Sequence, residues 1–247
     1  MIKIRDLPEP KELTLRVVTD KTKRFIDSNK KKVVWDDKYF KRQLAEMSYG
    51  KCCYCECTVG KEGNYLVVEH FKPKDKYPDE VVKWSNLLPS CARCNSWKGA
   101  HDTSKEPIIN PRYEDPGEHL RIHDSVYYQK TEKGRLTYNV LGLNDTLVLK
   151  ERVLISVEAI KSFQSHIDEA ERLLGNKTQD SLTLAKLRNG IVDLFREAQC
   201  DSPYSAAVAT SIISHPNYGM LEQYLTELNI WESVKDVVQQ AEENALL

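Results

Sequence analysis

The chain has 247 residues, 40% of them hydrophobic and 30% charged, enough for one large or two modest domains around a buried core. No run approaches 18 consecutive apolar residues, which argues against a membrane-spanning helix. The opening MIKIRDLPEP lacks the apolar stretch of a signal peptide, so a soluble cytoplasmic protein is expected.

The net charge of −1 hides an asymmetry. Residues 1–110 carry 22 Lys and Arg against 16 Asp and Glu, a balance of +6; residues 111–247 carry 14 against 21, a balance of −7. The first half suits an anionic partner, the second does not. Residues 1–35 read as an irregular or short-element lead-in, with Pro8 and Pro10 followed by KTKRFIDSNKKK. Lys30, Lys31 and Lys32 there can meet phosphates or form a solvated surface. DDKYFKRQLAEM places Tyr39, Leu44 and Met47 near helical spacing and predicts a helix over 36–48, stopped by Gly50. NYLVVEHF, β-branched and aromatic, predicts a strand over 64–71, and Pro73 and Pro78 break the segment after it. LLPSCARCNSWKGAHD reads as a short helix with Ser90 as N-cap and Gly99 as its stop. EPIINPRYEDPGEHL is punctuated by prolines, and YYQKTEKGRLTYNVLGL carries strand-like runs around a turn at Gly134.

From Asn144 the pattern turns helical. Leu147, Val153, Leu154, Val157, Ile160 and Ile167 form an apolar stripe ended by Gly175-Asn176. A second helix is expected over 180–198, capped by Asp180 or Ser181. Shorter ones are expected over 203–214 and 217–228, split by Pro216, and the last residues are expected to fray. Three regions result: a lead-in and helix over 1–49, a cysteine-rich domain with a short β extension over 50–143, and a helical region over 144–247 that suits partner docking.

Seven cysteines without an export signal point to metal ligation or reactive thiols more than to a disulfide framework. Cys52 with Cys55, and Cys91 with Cys94, form two C-x2-C knuckles separated by 35 residues. Four thiolates are the tetrahedral set of a structural zinc, which leaves no open position for water. The gap is longer than in common zinc ribbons, so the segment it encloses is where function is sought. Cys53 and Cys57 are surplus or alternates. Cys200, in a helical context, reads as an ordinary thiol.

Between and beside the knuckles stand VEHFKPK and WSNLLPSCARCNSWKG, with Glu69, His70, Asn86, Asn95 and Lys98. The order His, Asn, Asn, framed by the knuckles and ending in CNSWKG, resembles the HNH endonuclease family over about residues 50–102. KCCYCE, VEHFKPK, WSNLLPSCARCN, IINP and LGLN together are similar to the HNH proteins of Septu anti-phage systems and of some retron defence operons, over about 35–155. The resemblance implies an α+β fold: a zinc-stapled ββα-metal nuclease core followed by an α-helical C-terminal region. It also implies a DNA substrate and an ABC-type ATPase as partner, and it makes Asn86 the middle asparagine that fixes the loop and orients His70. Family members usually carry Asp where Glu69 stands, a change that keeps the carboxylate and adds one methylene of reach; many carry His where Asn95 stands, and Asn there is a known variant that offers an oxygen ligand.

The chemistry can be argued from the residues as well. Hydrolysing a phosphodiester needs a base for water and a cation for the developing charge. His70 has the ordinary pKa for the first role. Glu69 and the Asn95 carbonyl oxygen offer hard ligands for Mg²⁺ or Mn²⁺. Lys98 is a candidate phosphate contact or a solvated helix-end lysine. On a helix, positions 91, 94, 95 and 98 share one face. On a regular strand Glu69 and His70 point to opposite faces, so the strand must bend or end there for both to serve one site. His101 and Asp102 lie near enough to support the site, whereas His119, His123, His166 and His215 read as structural or exposed. A non-catalytic, zinc-held nucleic-acid-binding or adaptor module is the alternative.

Overall fold

A computed structural model describes residues 1–60, 63–175 and 180–247, and these form an α+β protein. The chain divides into two compact units, one of residues 1–120 and 129–144, the other of residues 121–128 and 145–247.

In the first unit, α1 spans Leu15–Asp27 and α2 spans Lys38–Met47. The lead-in, expected to be irregular or to hold short elements, therefore contains a helix of 13 residues. Thr14 caps α1 by accepting from the Val17 N–H at 3.4 Å. Phe25 is its fully buried residue, so the apolar stripe is thin. α2 buries Phe40, Leu44 and Met47, as the spacing predicted. Strands β1 (Leu66–His70) and β2 (Leu87–Cys91) pair antiparallel, with Leu66 opposite Cys91 and His70 opposite Leu87.

Helix α3 (Ala92–Lys98) comes directly after β2. LLPSC is thus a strand and not the start of a helix. Ser90 pairs with Val67 instead of capping, and the N-cap is Cys91, whose sulfur accepts from the Cys94 N–H at 3.4 Å. Pro89 is tolerated because a two-stranded sheet has only edges. Gly99, with φ of 49°, ends α3 as expected.

Strands β3 (Leu120–His123) and β4 (Val126–Gln129) form a hairpin through Asp124 and Ser125, whose φ values are 48° and 63°. Two positive φ angles are what a tight, right-twisting hairpin turn requires. Helix α4 spans Glu132–Val140, so Gly134 is not a turn residue between strands. It lies in the first helical turn, where a Cβ would collide with the His119 carbonyl oxygen.

The second unit is built on α5 (Thr146–Leu174), α6 (Ser181–Arg196), α7 (Ser205–Ile213), α8 (Leu221–Glu227) and α9 (Lys235–Glu242). Asp145 caps α5 and Asp180 caps α6. Phe163, Ile167, Ile191, Phe195, Leu225 and Val238 meet in one core. The face α5 buries runs through Val148, Arg152, Ser156, Ala159 and Phe163. Leu147, Val153, Leu154 and Val157 of the expected stripe are exposed, and Ile167 is buried. Asn176 lies outside the described residues. The terminal stretch does not fray: α9 buries Val238 and Ala241, and Leu246 donates to Thr210 Oγ1 at 2.9 Å and accepts from the Ile122 N–H at 2.7 Å. Among the described residues, no helix is long and apolar enough to cross a membrane.

Candidate metal centre and active site

The two knuckles converge. Ligand atoms of Cys52, Cys55, Cys91 and Cys94 all lie within 4.8 Å of one another, and all four residues are buried. The Cys55 and Cys91 sulfurs are 3.8 Å apart. A tetrahedron with Zn–S bonds of about 2.3 Å has an edge of about 3.8 Å, so the donor set fits zinc. Ser90 Oγ lies 3.7 Å from the Cys52 sulfur and Arg93 Nη2 lies 3.7 Å from that of Cys55, polar neighbours suited to thiolates. Cys53 is buried outside this set, and burial pushes its thiol well above the ordinary value. The Cys57 sulfur accepts from Asn64 Nδ2 at 3.3 Å and also lies outside the set. Cys200 is partly exposed.

This cluster joins the start of the ββα unit to its helix. Cys52 and Cys55 precede β1, Cys91 closes β2 and Cys94 sits in α3. Beside it opens a pocket of about 240 Å³ lined by Glu69, His70, Pro73, Lys74, Asn95 and Ser96, among others. Glu69 and His70 both reach it because β1 ends at His70. Glu69 is 3% exposed and His70 7%.

The His70 ring is oriented by a backbone carbonyl. Nε2 lies 2.8 Å from the Val81 oxygen, and a carbonyl only accepts, so Nε2 carries the proton and Nδ1 is the basic nitrogen. The Trp35 indole meets the imidazole edge-on, with centroids 4.6 Å apart. Burial lowers the His70 pKa to about 4, against the opposing pull of the Val81 hydrogen bond, so the ring is neutral at neutral pH.

Asn86 closes the loop after His70. Its Oδ1 accepts from the Lys72 N–H at 2.7 Å, and its Nδ2 donates to the Lys72 and Glu80 carbonyls at 3.1 and 3.2 Å. The backbone beside Val81 is thereby fixed to the backbone beside His70. Asn95 is half-buried at the pocket wall.

Lys98 is not placed to contact phosphate. It is 3% exposed, its Nζ donates to the His70 carbonyl at 2.8 Å, and it lies 2.6 Å from Glu69 Oε1. An ammonium enclosed in this way cannot meet a strand at the surface. Burial raises Glu69 to about 7, opposed chiefly by Lys98. Oε1 is buried close to the ammonium without an aligned hydrogen bond, and Glu69 also lines the polar pocket. A carboxylate, an amide oxygen and open space for water make a donor set that fits a hard divalent cation.

Asp102 accepts from Tyr77 OH at 3.0 Å and pairs with Lys76 at 3.5 Å, while His101 Nε2 lies 2.8 Å from the Glu106 carbonyl. His119 meets Thr131 Oγ1 at 2.9 Å, and His215 packs edge-on to Phe163. Trp35, Lys74 and Val81 were not singled out in the sequence. Trp35 stands 35 residues before His70, and Val81 acts through its backbone, which leaves no trace in residue type.

A search of curated proteins finds a Septu protein PtuB from Bacillus thuringiensis that is 40% identical over 217 residues, covering 87% of this chain and 84% of the relative. A Septu protein PtuB from Bacillus mycoides (strain KBAB4) is 28% identical over an alignment of 155 positions, covering 49% of this chain and 52% of that relative. No family model matches the sequence.

Proposed function

We propose that this chain, which belongs to the family of the Septu protein PtuB, is a metal-dependent endonuclease of the HNH type acting on DNA. In this reading it is the nuclease subunit of an anti-phage complex that includes an ABC-type ATPase. The observation that carries the proposal is the convergence of Glu69, His70 and Asn95 on one pocket, with the His70 tautomer set by the Val81 carbonyl.

The residues divide the work. His70 Nδ1 takes a proton from the attacking water, and the Val81 carbonyl steadies the imidazolium that forms. Asn86 holds the two backbone segments that present His70 and Val81. Glu69 and Asn95 would hold Mg²⁺ or Mn²⁺, which when bound supplies positive charge to the phosphate and the leaving oxygen. Lys98 keeps the Glu69 carboxylate in place from behind. Cys52, Cys55, Cys91 and Cys94 would hold a zinc that braces β1, β2 and α3 and takes no part in the chemistry.

A non-catalytic nucleic-acid-binding or adaptor module would need the sulfur cluster but no neutral, oriented imidazole beside a buried carboxylate. The test is His70→Ala in the purified protein, alone and with its partner ATPase. Cleavage should fall by at least about 10²-fold, with zinc content unchanged and the variant still folded by circular dichroism. Cleavage at the wild-type rate would overturn the assignment.

A further inference from the structure

With Lys98 enclosed, the site needs another cation to receive the substrate backbone. Most lysines near the pocket are engaged. Lys72 pairs with Glu80 at 2.8 Å, Lys83 with the same carboxylate group at 3.6 Å, and Lys76 with Asp102 at 3.5 Å. Lys30 donates to the Asp75 carbonyl at 2.5 Å.

Lys74 differs from all of these. It lines the pocket together with Glu69, His70 and Asn95, and it is half-buried there. Its Nζ sits over the Trp35 ring, 5.6 Å from the centroid. Among the described residues, no carboxylate lies within 4 Å of it. The acidic side chains on the pocket wall are Glu69, already held against Lys98, and Asp75, which is exposed. The same indole contacts the His70 ring edge-on and is itself braced by Phe25, 5.8 Å away. One aromatic ring thus holds the free ammonium and the imidazole at fixed places on one pocket wall. A cation over an indole face is held without being neutralised, so its charge stays available to an anion.

We propose that Lys74 is the residue that contacts a phosphate of the bound DNA strand, beside the phosphodiester attacked by the water that His70 deprotonates. The inference rests on the nuclease reading and extends it to how the substrate is held. A lysine binds phosphate as a point charge, so the contact fixes the strand's register without reading a base.

The experiment measures binding of a short DNA duplex and of the matching single strand as a function of salt. It uses the full chain in a His70→Ala background so that nothing is cut, with Mg²⁺ present. Losing one phosphate contact lowers the slope of log K against log salt by about 0.9 on duplex or about 0.7 on single strand. Lys74→Met should therefore show a duplex-binding deficit about threefold larger at 50 mM than at 200 mM salt. Lys74→Arg should keep the wild-type slope. In the His70 protein, Lys74→Met should raise KM more than it lowers kcat, with zinc content unchanged. If His70→Ala binds DNA and Lys74→Met leaves the slope unaltered, the Lys74 assignment is wrong while the nuclease reading stands. If the wild type neither binds nor cuts DNA, the nuclease reading fails and the assignment falls with it.

Discussion

Lys98→Met separates a buried brace from a surface contact, because the two respond differently to pH. The Glu69 carboxyl is buried and its pKa is raised to about 7, with the Lys98 ammonium 2.6 Å away opposing the rise. A carboxyl with a raised folded-state pKa contributes stability that is fully present below its unfolded value and is lost as pH climbs toward the folded one. From about 4.5 to 7, wild type and variant lose stability at the same rate, since Glu69 stays protonated in both. Above 7 the wild type ionises Glu69 against Lys98 and the loss stops. Without Lys98 the carboxyl has no counter-charge, its pKa moves higher, and the loss continues at about 1.4 kcal/mol per pH unit. The variant should thus be about 3 kcal/mol worse relative to wild type at pH 9 than at pH 7. Added to this is a pH-independent cost of about 1–3 kcal/mol for the lost bond to the His70 carbonyl. Urea unfolding at pH 6, 7, 8 and 9, with zinc retained and no Mg²⁺ or Mn²⁺, measures both parts. In a Glu69→Gln background the pH-dependent part should vanish. An equal destabilisation at pH 6 and pH 9 would refute the reasoning.

Cys91→Ser should lose zinc and several kcal/mol of stability, because metal binding in such sites is folding energy, whereas Cys53→Ser should keep its zinc; metal analysis of the two proteins decides it. Asn86→Ala removes three side-chain hydrogen bonds to the loop backbone. It should lower kcat with KM little changed, and steady-state kinetics on a DNA substrate would show a substrate-binding role instead if KM alone moved. Gly134→Ala should destabilise by about 1–3 kcal/mol although alanine favours helix, since its Cβ would strike the His119 carbonyl. A rise in melting temperature would contradict that.

The cysteine spacing carried the most information. Two C-x2-C pairs chose four of seven thiols, and those four sulfurs come together. Glu69, His70 and Asn95 were also legible, because an unusual residue order marks them and they line one pocket. What escaped was mostly the work of tertiary contact. Ser90 resembles an N-cap by residue type, but the apolar LLPS run is buried and pairs with β1, which moves the cap to Cys91. Gly134 looked like a turn because glycine usually marks one; here it marks a close approach of two backbone segments. α1 was missed although its apolar and charged residues do segregate with a helical period: Pro8 and Pro10 before it and the lysine run after it pointed toward an irregular segment. Lys98 has the residue type of a phosphate ligand, and only its burial shows that the site uses it internally.

The grip of Asn86 has one more consequence. It fastens the loop at Lys72 and at Glu80, the two places where the segment leaves and rejoins the scaffold. Exchanging residues between those anchor points should then leave the imidazole and its carbonyl acceptor undisturbed. On the proposed reading, substrate grip and bond-breaking would in this sense be separately adjustable parts of one short stretch of chain. A redesign aimed at a different strand geometry would begin with residues 73–79 and leave both anchor points alone.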